Sequence, residues 1–325
     1  MEILGSIFMY VWLLIGFVFL IKGADLFVDG TSSIAGLLKV PTIIIGLTIV
    51  AFGTSAPEMA VSVSAAIKGS NDIVISNVLG SNLFNLLVVS GACAAIKALP
   101  VSRDIKRRDF PFSIIVAAVL LLFCLNNLFL GSDTFVIGRT EGIILFAGLL
   151  IYLGYLIFAT MKGKATQEAE EIKTLSPLKS IIFTLLGITG IIVGGDMTVD
   201  AANDIALSLG MSDTIIGLTV LAVGTSLPEL VTSLVATRKG ENDLAIGNVI
   251  GSNIFNIMGV LGLSATISPV TVSGFSVIDL CLFIGFCILV WFVTVFRNKI
   301  ERLPGILMVL TYAAYMTYAV LREVA

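Results

Sequence analysis

Apolar runs of roughly 20 residues, enough to cross a bilayer, recur along the whole chain between short polar stretches. The pattern predicts ten spans, at approximately 7–27, 41–66, 72–97, 111–130, 137–160, 178–198, 213–236, 243–267, 276–296 and 304–321. Most are uniformly apolar. The second and seventh are not: each carries a proline, a glutamate and hydroxyls deep inside its run. The one long polar connection, Met161 to Ser176, is a charged linker.

The interrupted runs are copies of each other. Gly46-Leu47-Thr48 through Gly53-Thr54-Ser55-Ala56-Pro57-Glu58 returns as Gly217-Leu218-Thr219 through Gly224-Thr225-Ser226-Leu227-Pro228-Glu229, at an offset of 217 − 46 = 171. Each copy is followed at the same offset by a second motif, Gly80-Ser81-Asn82-Leu83-Phe84-Asn85 and Gly251-Ser252-Asn253-Ile254-Phe255-Asn256. More than half the positions from Gly46 to Asn85 match their partners, so the chain holds two copies of one unit. The first and sixth spans join the repeat through Gly23, Asp25 and Asp29, which match Gly194, Asp196 and Asp200.

Composition supports a membrane reading: 57% of residues are hydrophobic and 13% charged, about half the charge of a soluble domain. With the N-terminus outside, the inward loops hold 14 Lys and Arg and the outward ones 3, with Lys22 and Lys97 set aside at span ends. Both termini then face out. Five spans per half make the second copy enter the membrane from the opposite side, as in many secondary transporters. The expected fold is an all-α membrane protein of ten transmembrane helices in two inverted five-helix repeats. Residues 1–160 form the first repeat, 161–177 a cytoplasmic linker and 178–325 the second repeat. Broken helices 2, 3, 7 and 8 form the core. The N-terminal run lacks a preceding Lys or Arg and reads as a retained helix, not a cleaved signal peptide.

The chain has no histidine. That excludes histidine-ligated zinc and histidine proton relays. Its four cysteines lie in apolar runs without CxxC spacing and read as small buried hydrophobes. Glu58 and Glu229 are therefore the informative groups. An ionisable side chain at mid-membrane persists mainly where it binds something, and no Lys or Arg is expected mid-span to pair with it. Pro57 and Pro228 lack an N–H and should free the carbonyls of Gly53 and Gly224. Thr54 and Ser55 stand four and three residues before Glu58, so all three should share a helix face. Ser81 with Asn85, and Ser252 with Asn256, repeat the four-residue spacing; Asn82 and Asn253 read equally well as interhelical glue. Around a pseudo-two-fold axis these make an all-oxygen cluster, suited to hard cations such as Ca²⁺ and Na⁺. A cation channel, a scaffold and an intramembrane enzyme are the rival classes. The enzyme ranks last, since HExxH is impossible here.

The doubled GTSxPE and GSNxxN motifs resemble the Ca²⁺/cation antiporter superfamily, specifically its prokaryotic-type Na⁺/Ca²⁺ exchangers, over essentially the whole chain. The resemblance implies ten helices with outward termini in the cell membrane. It also implies exchange of three Na⁺ for one Ca²⁺ by alternating access, with helices one and six sliding across the other eight. It implies Ca²⁺ on Glu58, Glu229, Thr54 and Thr225, and Na⁺ on Ser55, Ser226, Ser81, Ser252 and the carbonyls of Ala51 and Ala222. Asn85 and Asn256 would stand between the glutamates. Many relatives carry an aspartate at one of these two positions. With two amides the formal site charge is −2, which weakens a K⁺-dependent reading. A Ca²⁺/H⁺ or other divalent antiporter is the alternative. No cofactor, nucleic-acid partner or enzymatic activity is expected. The partners are the ions and the bilayer, with a monomer as the default state.

Overall fold

The computed structural model describes residues 2–129, 135–161, 174–208 and 222–324. The helices, in order, are α1 Glu2–Leu38, α2 Thr42–Thr54, α3 Ala56–Lys68, α4 Ile73–Ile96, α5 Phe110–Phe129 and α6 Arg139–Met161. They continue as α7 Pro177–Ser208, α8 Ala222–Gly224, α9 Leu227–Lys239, α10 Asn242–Ile267, α11 Gly274–Arg297 and α12 Arg302–Val324. Among the described residues eight are long and apolar enough to cross a membrane, and α2 with α3 adds one span bent by 49°. The first part of the expected seventh span and most of the linker lie outside the described residues.

The break between α2 and α3 falls where proline chemistry puts it. Pro57 has no N–H to continue α2 and instead sits in the first turn of α3, where its fixed φ is accommodated. Ser55 takes the corner at φ −85°, ψ 12°. Ser226 repeats it before α9 at φ −95°, ψ 7°. Both α3 and α9 end on a left-handed glycine, Gly69 (φ 75°) and Gly240 (φ 88°), a conformation glycine adopts without a Cβ clash.

The third and eighth spans depart from expectation. They are not broken. Each runs through as one helix, α4 and α10, with a π-helical segment at Asn85–Val89 and Asn256–Leu261. Both π-segments begin at the last asparagine of the second motif, so the local widening replaces a break. Such insertions often mark functional positions. Another π-segment, Gly46–Val50, lies within α2.

The helices α1 and α7 exceed their predicted lengths, because polar residues past the apolar run continue the helix. Asp25 and Asp29 are thus inside α1 rather than near its end, where Lys239 pairs with both at 3.5 and 2.7 Å. Lys22 likewise lies within α1, on its exposed side, so the expectation of no mid-span cation fails there. Cys281 is exposed, while the other three cysteines are buried.

The helices α1 and α7 pack antiparallel along a seam of small residues. Gly16 lies against Gly194 and Thr198, Gly23 against Gly187 and Ile191, and Gly30 against Ser180 and Thr184. A Cβ on Gly187 would come within 2.4 Å of the Phe27 nitrogen, so only glycine allows this approach. Their buried residues, including Leu20, Phe27 and Ile191, form a second apolar cluster together with Ile45 and Val50 of α2, Val235 of α9 and Leu244 of α10. The main cluster joins α4, α5, α6, α10 and α11. At its centre lies α10, buried along its whole apolar window.

Among the described residues four short strands, absent from the helical pattern, tie the connections together. β1 (Leu99–Pro100) pairs antiparallel with β4 (Lys299–Ile300), and β2 (Phe135–Ile137) with β3 (Val270–Val272). β1 and β3 stand 270 − 99 = 171 residues apart, yet pair at opposite ends of α5, since β1 precedes that helix and β2 follows it.

Candidate ion site

Glu58 and Glu229 occupy the first turns of α3 and α9. A helix start suits a carboxylate, because its free N–H groups and dipole favour negative charge. Both glutamates are 0% exposed. No Lys or Arg pairs with either among the described residues. Hydroxyls do. The Ser226 hydroxyl donates to Glu58 Oε1 at 3.1 Å, and Ser81 donates to the same oxygen at 3.4 Å. In mirror fashion Ser55 donates to Glu229 Oε1 at 2.8 Å and Ser252 at 3.4 Å.

This corrects the expected shared face. The bend at Ser55 turns its hydroxyl away from Glu58, three residues on, and towards the glutamate of the other copy. Thr54 donates towards the carbonyl of Val50 at 3.1 Å and Asn248 Oδ1 at 3.0 Å. Thr225 reaches Asn77 Oδ1 at 3.5 Å. The carbonyl of Ala51 accepts the Ser55 N–H at 3.0 Å and faces the Thr54 hydroxyl at 3.5 Å. Ala222 opens α8 at the edge of the described residues.

The second motif closes the cluster. Ser81 and Ser252 face the glutamates, as above. Asn82 donates to the carbonyl of Asn253 at 3.3 Å, and Asn256 donates to Asn82 Oδ1 at 3.2 Å. The Asn82 side chain therefore bridges α4 and α10, while Asn253 contributes its backbone carbonyl. Asn85 is fully buried, and neither its Oδ1 nor its Nδ2 has a protein partner. The same holds for Glu58 Oε2, Glu229 Oε2, Asn253 Oδ1 and Asn256 Oδ1. Each buried polar atom left unpaired costs about 1–3 kcal/mol, more if charged. Such a concentration within two repeated motifs is what a cation-binding cluster looks like from the protein side.

Sequence reasoning missed two amides. Asn77 donates to the Glu58 carbonyl at 3.3 Å and to Ser62 Oγ at 2.8 Å. Asn248 donates to the Glu229 carbonyl at 3.4 Å and to Ser233 Oγ at 3.0 Å. Each also accepts from the threonine of the opposite copy. These amides brace the broken helices against each other. The offset of 248 − 77 = 171 was their signal in the sequence.

The family model described as sodium/calcium exchanger protein matches residues 8–161 and 179–321. The CaxA protein of Alkalimonas amylolytica is 41% identical over 80% of this chain and 81% of its own. Sodium/calcium exchanger MaX1 of Methanosarcina acetivorans is 33% identical over 94% and 96% of the two chains. The fold is similar to that of the sodium-calcium exchanger NCX_Mj, with a TM-score of 0.82 and 29% identity, covering 97% of this chain and 99% of that one. Crossed serine–glutamate pairs, a doubled motif and a family match over nearly the whole length make this chain a multi-pass membrane protein of the sodium/calcium exchanger family.

Proposed function

We propose that the chain is an electrogenic Na⁺/Ca²⁺ antiporter. The reading rests above all on the unpaired, fully buried oxygens around Glu58 and Glu229. In it, Glu58, Glu229, Thr54 and Thr225 ligate Ca²⁺. Ser55, Ser226, Ser81, Ser252 and the carbonyls of Ala51 and Ala222 serve Na⁺. Asn85 and Asn256 stand between the carboxylates as neutral oxygen donors. The formal charge of −2 is balanced by one Ca²⁺, and three Na⁺ leave +1, so a 3:1 exchange moves one net charge.

The coupling follows from desolvation. Two bare carboxylates buried together are too costly to occlude. The protein then closes only over cations and must return with a different load. Alternating access would come from α1 and α7 moving against the rest. The continuous glycine seam that joins α1 to α7 supports that reading. The antiparallel α1–α7 pair and the strand exchange at opposite ends of α5 support ten spans in two inverted repeats. The basic loops argue for outward termini in the cell membrane.

The test is ⁴⁵Ca²⁺ uptake into proteoliposomes with outward Na⁺, K⁺ or H⁺ gradients. Uptake is expected only with Na⁺, accelerated by inside-positive potential and lost in Glu58→Gln and Glu229→Gln. Uptake driven by protons would instead assign the chain as a Ca²⁺/H⁺ antiporter, a reading left open by the neutral Asn85 and Asn256. Ca²⁺ release with no counter-ion would sink obligatory exchange.

A further inference from the structure

We propose that the groove between the start of α5 and the end of α11 binds the headgroup of an anionic phospholipid. The groove is a cavity of about 660 Å³ lined by Arg103, Lys106, Arg107, Pro111, Trp291, Val295 and Asn298. Its walls are fixed. The Trp291 indole donates to the Lys106 carbonyl at 2.8 Å, locking α11 to the π-segment Ile105–Asp109. Asn298 holds a left-handed backbone (φ 57°), its carbonyl accepts the Val101 N–H at 3.0 Å, and its side chain accepts from Lys106.

Two of its three cations, Arg103 and Arg107, are available, while Lys106 is held by Asn298. Arg108, outside the groove, is consumed by the buried Asp109 at 2.7 Å. Arg103 and Arg107 are exposed and enter no ion pair among the described residues. Asp104 is the single acid between Arg103 and Arg108. A guanidinium fork matches a phosphate in a way that general positive charge does not.

Beside the groove α11 presents an exposed apolar surface, of which Val295 lines the groove itself and Phe292 and Phe296 line the neighbouring pocket. Phe292 is 56% exposed, Val295 41% and Phe296 66%, spaced at three and four residues so that they share one face. Guanidinium groups thus stand at the ends of two membrane-spanning helices, with exposed apolar side chains of α11 beside them, the two surfaces that an anionic phospholipid contacts together. That juxtaposition at the end of the membrane spans commits the site to a lipid over a soluble phosphate, and basic pockets between helices are known to take such headgroups.

The test uses the full chain in detergent with Trp12→Phe, which leaves Trp291 as the single tryptophan. Dioctanoyl-phosphatidylglycerol should change its fluorescence saturably. R103Q/R107Q should weaken that binding roughly tenfold or more while melting at the parent temperature. Equal binding by the double variant would overturn the site. So would equal binding of dioctanoyl-phosphatidylcholine, which would remove anion selectivity. Displacement by glycerol 3-phosphate at the same concentration would reassign it to soluble phosphates and overturn the lipid.

Discussion

The Ser55 hydroxyl donates to Glu229 across 174 residues of chain at 2.8 Å. Ser226 returns the same bond to Glu58 at 3.1 Å. Each glutamate is thus held by a serine of the opposite copy as well as by Ser81 or Ser252 of its own. Ser55→Ala should therefore disturb the carboxylate of the other copy, and Ser226→Ala should do the same in reverse. A lost hydrogen bond to a charged group is worth about 1.5–3 kcal/mol. The expected result is a tenfold or greater rise in the half-saturating Ca²⁺ concentration for transport. Unchanged values in both variants would mean these bonds are not retained when ions bind.

Adding a third carboxylate should reverse the charge balance. With Asn256→Asp the formal charge becomes −3, which three Na⁺ neutralise and one Ca²⁺ does not. In a dry, buried site the neutral complex is favoured. Na⁺ should then displace bound ⁴⁵Ca²⁺ at lower concentration than in the parent. If Na⁺ competes less well in the variant, Asn256 does not face the ions.

The braces Asn77 and Asn248 touch the glutamates only through backbone carbonyls. Asn248→Ala leaves Thr54 and Ser233 without that partner and unpins Glu229. Maximal flux should fall several-fold with fold and melting largely kept, because the corner before α9 loses its support. The Asp variant keeps the acceptor for Thr54 but loses the donor to the Glu229 carbonyl, so it should recover only in part. Full activity in the alanine variant would reduce the amide to packing.

The seam between α1 and α7 tolerates no Cβ at Gly187, where one would sit 2.4 Å from backbone nitrogen. Gly187→Ala should cost about 1–3 kcal/mol through overpacking, read as a lower melting temperature. Gly154, which has nothing within 4 Å of an added Cβ, is the control, and Gly154→Ala should melt like the parent. Equal melting of both variants would show that the seam can open without penalty.

Much of this protein was legible because the bilayer restricts the options. A chain crossing hydrocarbon must satisfy its own backbone, so apolar runs become helices, and a buried glutamate needs a reason. The 171-residue repeat then located Glu58, Glu229, the serines and the asparagines by sequence alone. The proline positions also foretold the bends before α3 and α9. What could not be read was direction. Ideal helix spacing placed Ser55 with Glu58, but the corner at Ser55 breaks that geometry and hands its hydroxyl to Glu229. The π-segments starting at Asn85 and Asn256 left no signature in hydropathy. Nor did the strand pairs, which join connections far apart in sequence. The glycines of α1 and α7 were visible, but only packing shows that Gly23 meets Gly187. Composition and repetition are local properties, and they determined the class, the motif residues and their chemistry. Which side chain faces which is settled by how the helices cross, and that depends on contacts between residues far apart in sequence, such as Lys239 with Asp25 across 214 positions.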